Sequence, residues 1–150
     1  MRQKNILALA ALAFLLATAI SSQDAQAQCK SFVKVNCIPQ LTPYIHDGNY
    51  QAVIMGEGEE AEVYKTIFAG QAYRLIVCVD DLLPNVEFVV SDIRRNILFD
   101  NRKSGNVKIW DFKPDASQQI KVTIRIPKSQ KSDRDLVYGC VGVLFSLLEQ

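Results

Sequence analysis

The sequence predicts an all-β fold, an antiparallel β-sandwich or barrel with about seven or eight strands. Two observations predict it. Apolar and polar residues alternate with period two in several segments, which is the pattern of half-buried strands. Turn residues such as glycine, proline and asparagine separate these segments roughly every 8–12 positions, and no convincing helical period follows the N-terminal apolar run.

The clearest strand lies around residues 120–126, where Ile120, Val122 and Ile124 face one way and polar residues face the other. Residues 73–79 are apolar on both faces, so we expect a central strand that is covered on both sides. Further strands are expected at 50–55, 61–68, 86–92, 96–100, 106–112 and 138–148.

The N-terminus has the pattern of an export signal. Two basic residues precede a nearly unbroken apolar run from Ile6 to Ile20, and Ala25-Gln26-Ala27 is a small-x-small cleavage sequence. The run is shorter than the roughly 20 residues of a membrane-spanning helix, so an uncleaved anchor is the weaker alternative. We expect residues 1–27 to be removed as a signal peptide and residues 28–150 to form a single β-sandwich domain.

Charge narrows the class of partner. The chain has 17 basic and 16 acidic residues, and removing two basic residues and one acid with the signal peptide leaves 15 of each. A balanced chain lacks the basic excess that nucleic acids or anionic membrane surfaces require. We therefore expect an exported protein, in the periplasm or outside the cell, with no nucleic-acid partner and no membrane span after cleavage.

Export determines how the cysteines are interpreted. Four cysteines in an oxidising compartment predict two disulfides. The sequence contains no CxxC motif, so a redox or zinc site has little support. The expected pairs are Cys29–Cys37, which would clip an N-terminal cap, and Cys78–Cys140, which would tie a middle strand to the last one. Within the cap, Phe32 and Val33 could begin a short helical turn, but prolines at 39 and 43 argue against a long helix.

A resemblance to a known family rests on four segments in order: "GEEAEVYKTIFAGQAYRLIV", "VEFVVSDIRRNILFDN", "IWDF" and "QIKVTIRIP". They resemble the bacterial pre-peptidase C-terminal domain over about residues 57–127. The whole chain is also similar to small exported proteins of Bacteroidota. The resemblance implies a jelly-roll-like β-sandwich that acts as a non-catalytic accessory module, and it supplies no active-site residues.

One position departs from the family pattern. The family usually has glycine where Arg95 stands, before Asn96, in the hairpin that we expect between two strands. Either Arg95 takes a positive φ, or the turn is of another type and Asn96 takes it.

Catalytic and metal-binding chemistry has little support in the sequence. His46 is the only histidine, and no nucleophile-elbow glycines surround a serine that it could activate, so a turn beside Asp47-Gly48 is the better interpretation. A calcium site could use the acids of "GEGEE" or "VDD", yet neither has the spacing of a calcium-binding loop. We predict no catalytic residue, no metal and no cofactor.

Aromatic residues are the candidates for a ligand surface. Trp110 and Phe112 alternate along one strand and could form a platform for a sugar, with Tyr50 as a third ring. Aromatics at such positions are more often part of the core. If Trp110 and Phe112 face inward, Val107 and Ile109 face outward.

Three functions follow from these observations. The first is an exported, non-catalytic module that binds an unidentified protein or glycan at the cell envelope or in the medium. The second is a small hydrolase that uses carboxylates or His46, and the third is a structural or inhibitory envelope protein. An exposed apolar patch would favour the first, and a pocket with convergent titratable groups the second.

Overall fold

Eight strands form two antiparallel sheets of four in this protein, which we describe from a computed structural model. The structure describes residues 21–83, 85–128 and 136–148, so the predicted apolar run of the signal peptide lies outside them. The strands are β1 (Ile45–Gly56), β2 (Glu60–Ile67), β3 (Tyr73–Val79), β4 (Glu87–Asp92), β5 (Ile97–Asp100), β6 (Ile109–Phe112), β7 (Gln118–Arg125) and β8 (Tyr138–Leu147).

The order of the strands is that of a jelly roll. Sheet 1 has the order β1-β8-β3-β6 and sheet 2 the order β2-β7-β4-β5. Apart from the β4–β5 hairpin, neighbouring strands come from distant parts of the chain. The predicted class, an antiparallel jelly-roll-like sandwich of about eight strands, is confirmed.

The core lies between the inner faces of the two sheets. Alternate residues of each strand supply it, as the period-two pattern predicts. On β7, Ile120, Val122 and Ile124 are buried, and Phe88 and Val90 of β4 lie beside them. Each such side chain contributes roughly 1.5–3 kcal/mol when it leaves water.

A helical cap covers the outer face of sheet 1. Helix α1 (Ser21–Phe32) continues into a π-helical turn (Val33–Cys37) and a 3-10 turn (Ile38–Leu41). The helical path is therefore longer than the short turn expected from the sequence. Pro39 does not break it, because it lies in the first turn of the 3-10 segment, where its missing N–H has no helical acceptor.

The central strand β3 is buried on both faces, as predicted. Its residues Leu75 and Val77 enter the core between the sheets, whereas Ile76 and Cys78 lie under the cap together with Leu144 of β8. The cap therefore has a small hydrophobic core of its own against sheet 1.

Glycine in the last strand lets the cap approach closely. A Cβ atom on Gly142 would lie 2.7 Å from Cγ2 of Val33, which is fully buried. No side chain fits between the cap and this strand, so the glycine is a packing requirement.

The predicted pairing of Cys29 with Cys37 and of Cys78 with Cys140 is wrong. The structure joins Cys29 to Cys140 and Cys37 to Cys78, with Cα–Cα distances of 5.3 and 5.9 Å. The first two cysteines lie on one helical path that rises about 1.5 Å per residue, which separates them by about 12 Å, whereas a disulfide needs about 7 Å or less. Cys78 is paired across the strands with Gly142, so Cys140 is its diagonal neighbour, at a distance of roughly 7–8 Å. That distance is also too long for a disulfide.

Arg95 takes the positive φ in the hairpin between β4 and β5. Its φ is 68°, and its N–H donates to the Asp92 carbonyl at 3.0 Å. Asn96 then pairs back to Asp92, whose carboxylate accepts from both the backbone and the side-chain amide of Asn96 at 2.8 and 2.7 Å. The hairpin loop is therefore a turn followed by one left-handed residue, which is a common arrangement in hairpin loops of three to five residues.

Candidate partner-binding cleft

A cleft of about 190 Å³ lies where the cap meets the ends of β1 and β8. We call it the cap cleft. Its lining residues come from the cap, from β1, from the loop after β3 and from β8, which are distant in the sequence. They are Ala25, Gln28, Cys29, Phe32, Ile54, Asp80, Leu82, Tyr138, Gly139 and Cys140.

Three apolar side chains stand exposed around the cap cleft. Leu82 is 65% exposed, Tyr138 52% and Ile54 37%. Apolar residues that converge from separate elements form a patch, in contrast to single exposed residues scattered over a surface.

The loop after β3 presents Leu82 to solvent. The Asp80 carboxylate accepts from the Leu82 N–H at 3.0 Å, and the Asp80 carbonyl accepts from the Leu83 N–H at 3.0 Å. This turn directs Leu83 into the core, where it is 4% exposed, and leaves Leu82 outside. Two acids, Asp80 and Asp81, border the same loop.

Glycines position the other walls. A Cβ on Gly56 would lie 2.6 Å from the Tyr138 ring, so the ring can lie across the end of β1 only because residue 56 has no side chain. A Cβ on Gly139 would lie 2.8 Å from the Leu83 side chain. Because residue 139 has no Cβ, the loop after β3 can pack directly on β8. The Cys29–Cys140 disulfide lines the cleft and fixes the cap to β8.

The cap cleft is small and chiefly apolar. Its volume is below the roughly 300–1,000 Å³ of small-molecule sites. Its apolar walls and the Asp80 carboxylate form a recess that can take one apolar side chain with a basic group beside it.

His46 does not lie beside a catalytic group in the described part of the chain. Its Nδ1 accepts from the Gly48 N–H at 3.2 Å, which supports the expected turn, and its ring lies 5.8 Å from that of Tyr50. Its cross-strand neighbour Ser146 donates its hydroxyl to the Arg74 carbonyl. Nε2 of His46 is buried and has no hydrogen-bond partner among the described residues.

Two of the acids that could bind calcium are held in other contacts. Glu59 accepts from the Gly56 N–H at 2.8 Å, and Glu60 pairs with Arg125 at 2.8 Å across sheet 2. Within residues 21–83, 85–128 and 136–148, no three metal-ligating side chains come together.

The outer face of sheet 2 carries ion pairs. Glu62 lies 2.6 Å from Lys121, and this contact lowers the pKa of Glu62 and raises that of Lys121. Asp100 lies 2.8 Å from Arg102, whose hydrogen bonds lower the pKa of that carboxyl. These charges are already paired; Glu62, Lys121 and Arg102 reach solvent, whereas the Asp100 side chain is only 3% exposed.

The candidate aromatics do not form one surface. Trp110 stacks on Phe112 with ring centroids 4.0 Å apart and on Phe99 at 5.0 Å, between the edges of the two sheets. Both rings thus face inward, whereas Val107 and Ile109 are exposed as expected for that orientation. Tyr50 is on β1, at the opposite edge of sheet 1, and packs against the cap.

Sequence reasoning missed the residues of the cap cleft. Their common signal was the pair of glycines inside the strand "YGCVG", since glycine within a strand marks a close approach by another part of the chain. The signal points to packing and does not reveal which exposed side chains converge there.

Comparisons with known proteins do not assign this chain to a family. No protein-family model matches the chain, and no curated protein matches it. One similar solved structure is PliG of Aeromonas hydrophila, described as a periplasmic inhibitor of g-type lysozyme. It is 13% identical, the match covers 65% of this chain and 84% of that chain, and the TM-score is 0.46. At that TM-score the likeness carries no argument about function.

Two findings bear on the compartment. Both disulfides are typical of a protein that folds in an oxidising environment, which agrees with export. Over the part of the chain that the structure describes, no helix is both long and apolar enough to cross a membrane.

Proposed function

We propose that this protein is an exported, non-catalytic module that binds a protein partner through the cap cleft. The observation that carries the proposal is the convergence of Ile54, Leu82 and Tyr138 around a cleft that is fixed by a disulfide. The partner is a protein loop that inserts one large apolar side chain and places a basic residue near Asp80.

A protein fits this surface better than a glycan does. Sugar sites combine a free aromatic face with several polar groups, whereas the walls of the cap cleft are chiefly apolar. Trp110 is stacked against two other rings, which leaves less of its faces for a sugar.

Contacts within the structure also favour a non-catalytic role over the hydrolase alternative. His46 supports a turn through Nδ1, and the paired carboxylates of sheet 2 are bonded to arginine and lysine. A general acid or base needs a partner group within hydrogen-bond reach in a pocket. The resemblance to pre-peptidase C-terminal domains, which implies an accessory module, agrees with this proposal, and location in the periplasm or the medium remains part of it.

Selection of peptides tests the proposal. A phage-displayed random peptide library is selected on the chain that begins at Gln28, and we expect enrichment of peptides with a Leu, Phe or Trp beside Lys or Arg. Leu82→Asp should weaken their binding by at least about tenfold, because loss of an anchor contact costs more than about 1 kcal/mol.

A comparably exposed residue provides the control. Ile97 of β5 is 59% exposed on the other sheet, so Ile97→Asp should leave binding unchanged. Equal binding by the Leu82→Asp variant, or no enrichment at all, contradicts the proposal.

A further inference from the structure

Strand β1 has an open edge beside the cap cleft. It is the first strand of sheet 1, and in the described part of the chain it pairs with β8 alone. The Cys140 carbonyl accepts from the Asp80 N–H on the β3 side, so alternate residues of β8, Gly142 among them, form their backbone hydrogen bonds with β3. Ala52 is paired with Gly142, so its N–H and C=O point away from β8 and out of the sheet.

Three residues present backbone groups at this edge. Tyr50, Ala52 and Ile54 alternate along β1, and each points one N–H and one C=O outward. The side-chain amide of Gln26 donates to the Ala52 carbonyl at 2.5 Å, so an amide donor from outside the sheet reaches this edge. Gln26 belongs to the predicted signal peptide, and its bond involves none of the three N–H groups. The edge therefore offers both donors and acceptors to a further strand.

Side chains on both faces of β1 lack a neighbour at this edge. Val53 lies opposite Val141 and faces the core between the sheets, whereas Ile54 lies opposite Cys140 and faces the cap. Each of the two β1 residues is nevertheless 37% exposed. A further strand would cover both, because its own side chains alternate between the two faces. Ile54 also lines the cap cleft, so the edge and the cleft are continuous.

The edges formed by the other outer strands have features that discourage strand addition. β5 and β6 contain four residues each, and very short edge strands are poor templates. β2 exposes the charged side chains of Glu60 and Glu62. Residues 50–55 of β1 contain neither a charged residue nor proline. Among the described strands, β1 therefore has the edge best suited to pairing with another chain.

We propose that the partner segment that enters the cap cleft binds as an added strand along residues 50–54 of β1. The inference rests on the proposed function of the cleft and specifies the form of the partner, which is an extended protein segment. A helix could not use this edge, because its backbone groups bond to one another.

The geometry of an added strand connects the edge with the cleft. Directly opposite residues on adjacent strands have Cβ atoms about 4.5–5.5 Å apart, so the partner residue opposite Ile54 is placed at the cap cleft. In this mode of recognition, main-chain hydrogen bonds supply affinity and the side chain in the cleft selects the sequence.

Amide hydrogen exchange, followed by NMR at each residue, tests the inference. The sample is the oxidised chain that begins at Gln28, which retains both disulfides and all eight strands, with the most enriched cleft-binding peptide. Exchange at Tyr50, Ala52 and Ile54 should slow by about tenfold or more in the complex, because each N–H gains an acceptor. The amides of Gln51 and Val53 already bond to β8 and serve as internal controls.

A proline variant tests the same contact from the protein side. Ala52→Pro removes one outward N–H and no hydrogen bond to β8, so it should weaken peptide binding by about tenfold or more while the sandwich stays folded. Tyr64→Pro is the matched control. Tyr64 is opposite Lys121, which bonds toward β4, so its N–H also points outward but from the edge of sheet 2.

A change in the peptide avoids any effect on folding. N-methylation of each peptide amide in turn should weaken binding by about tenfold at alternate residues and little at those between them, because only alternate N–H groups of the added strand face β1. Equal effects at successive residues contradict an added strand.

The outcomes separate the two proposals. Binding that needs Leu82 but leaves exchange at the three edge amides unchanged overturns the strand inference and leaves the proposed function standing. Slowed exchange with binding that is insensitive to Leu82→Asp overturns the cap cleft as the anchor site and leaves the added strand supported. Slow exchange at these amides in the free protein that disappears on dilution shows a second copy on the edge, which overturns the inference.

Discussion

Arg95 holds a backbone conformation that glycine adopts more easily. Its φ of 68° brings Cβ close to the backbone, and the surrounding hydrogen bonds keep it there. The Asp92 carboxylate accepts two hydrogen bonds from Asn96, and the side-chain bond is the main reason why the pKa of Asp92 is lowered. The turn is therefore fixed by its side chains as well as by its backbone.

Arg95→Gly should stabilise the protein. We expect the free energy of unfolding to rise by up to about 1 kcal/mol, because relief of the left-handed strain exceeds the added freedom of the unfolded chain. Urea unfolding at neutral pH measures the change. Asn96→Gly is the control and should be destabilising, since it removes the side-chain bond to Asp92. An Arg95→Gly variant that is less stable than the parent would contradict this account.

The sequence predicted the hairpin but left its strained residue open between Arg95 and Asn96. Alternation of apolar residues locates strands because it depends only on neighbours along the chain. Which of the two residues takes a positive φ depends on the register between β4 and β5. This register shifts between Val90 and Ser91. That register is set by packing and cannot be read from the turn alone.

At the scale of elements, the cap and β8 are in close contact at Gly142. Gly142→Ala places a Cβ atom 2.7 Å from Cγ2 of Val33, so the cap must move outward. We expect a loss of about 1–3 kcal/mol in the free energy of unfolding, as for other overpacked sites. Thermal or urea unfolding of the oxidised protein measures it.

Removing the obstructing methyl groups should reverse much of that loss. Val33→Ala alone is destabilising because it empties a buried site, but the double variant Val33→Ala, Gly142→Ala should lose less than the sum of the two single changes. Strict additivity would show that the two residues do not oppose each other, contrary to the structure.

The cap also shows why elements were easier to predict than their connections. The strands follow from local patterns, and the central position of β3 follows from its two apolar faces. The disulfide pairing does not, because it depends on the helical path of residues 21–41, which is stabilised by contacts with sheet 1. For the same reason the cap cleft, which combines four distant segments, could not be predicted.

Ion pairs on sheet 2 give the whole molecule an acid-sensitive stability. The hydrogen bonds from Arg102 lower the pKa of Asp100, and those from Lys121 lower the pKa of Glu62. The unfolded chain, in which these carboxyls titrate near about 4, then binds protons more readily than the folded one. The stability that these carboxylates contribute is complete when the pH is above their pKa in the unfolded chain. It is lost as the pH falls through their lower pKa values in the folded protein.

Unfolding measured between neutral pH and pH 2 should therefore show a decline that begins near pH 4. Asp100→Asn should be less stable at neutral pH and should show a shallower decline, because it cannot take up the proton. Asp115→Asn, in the exposed turn between β6 and β7, takes no part in these pairs and serves as the control. An unchanged acid slope in the Asp100→Asn variant would contradict the assignment.

The Cys29–Cys140 disulfide also determines how the molecule responds to mechanical force. It joins residues 111 positions apart, close to the two ends of the chain that follows the predicted cleavage site. A pull applied outside these two cysteines passes through the sulfur–sulfur bond and bypasses strands β1 to β7, whereas the residues of β8 that follow Cys140 still bear the force. Without the bond, the same segment could extend by on the order of 350–400 Å. The oxidised protein can therefore extend under force only through the segments outside the disulfide-closed loop.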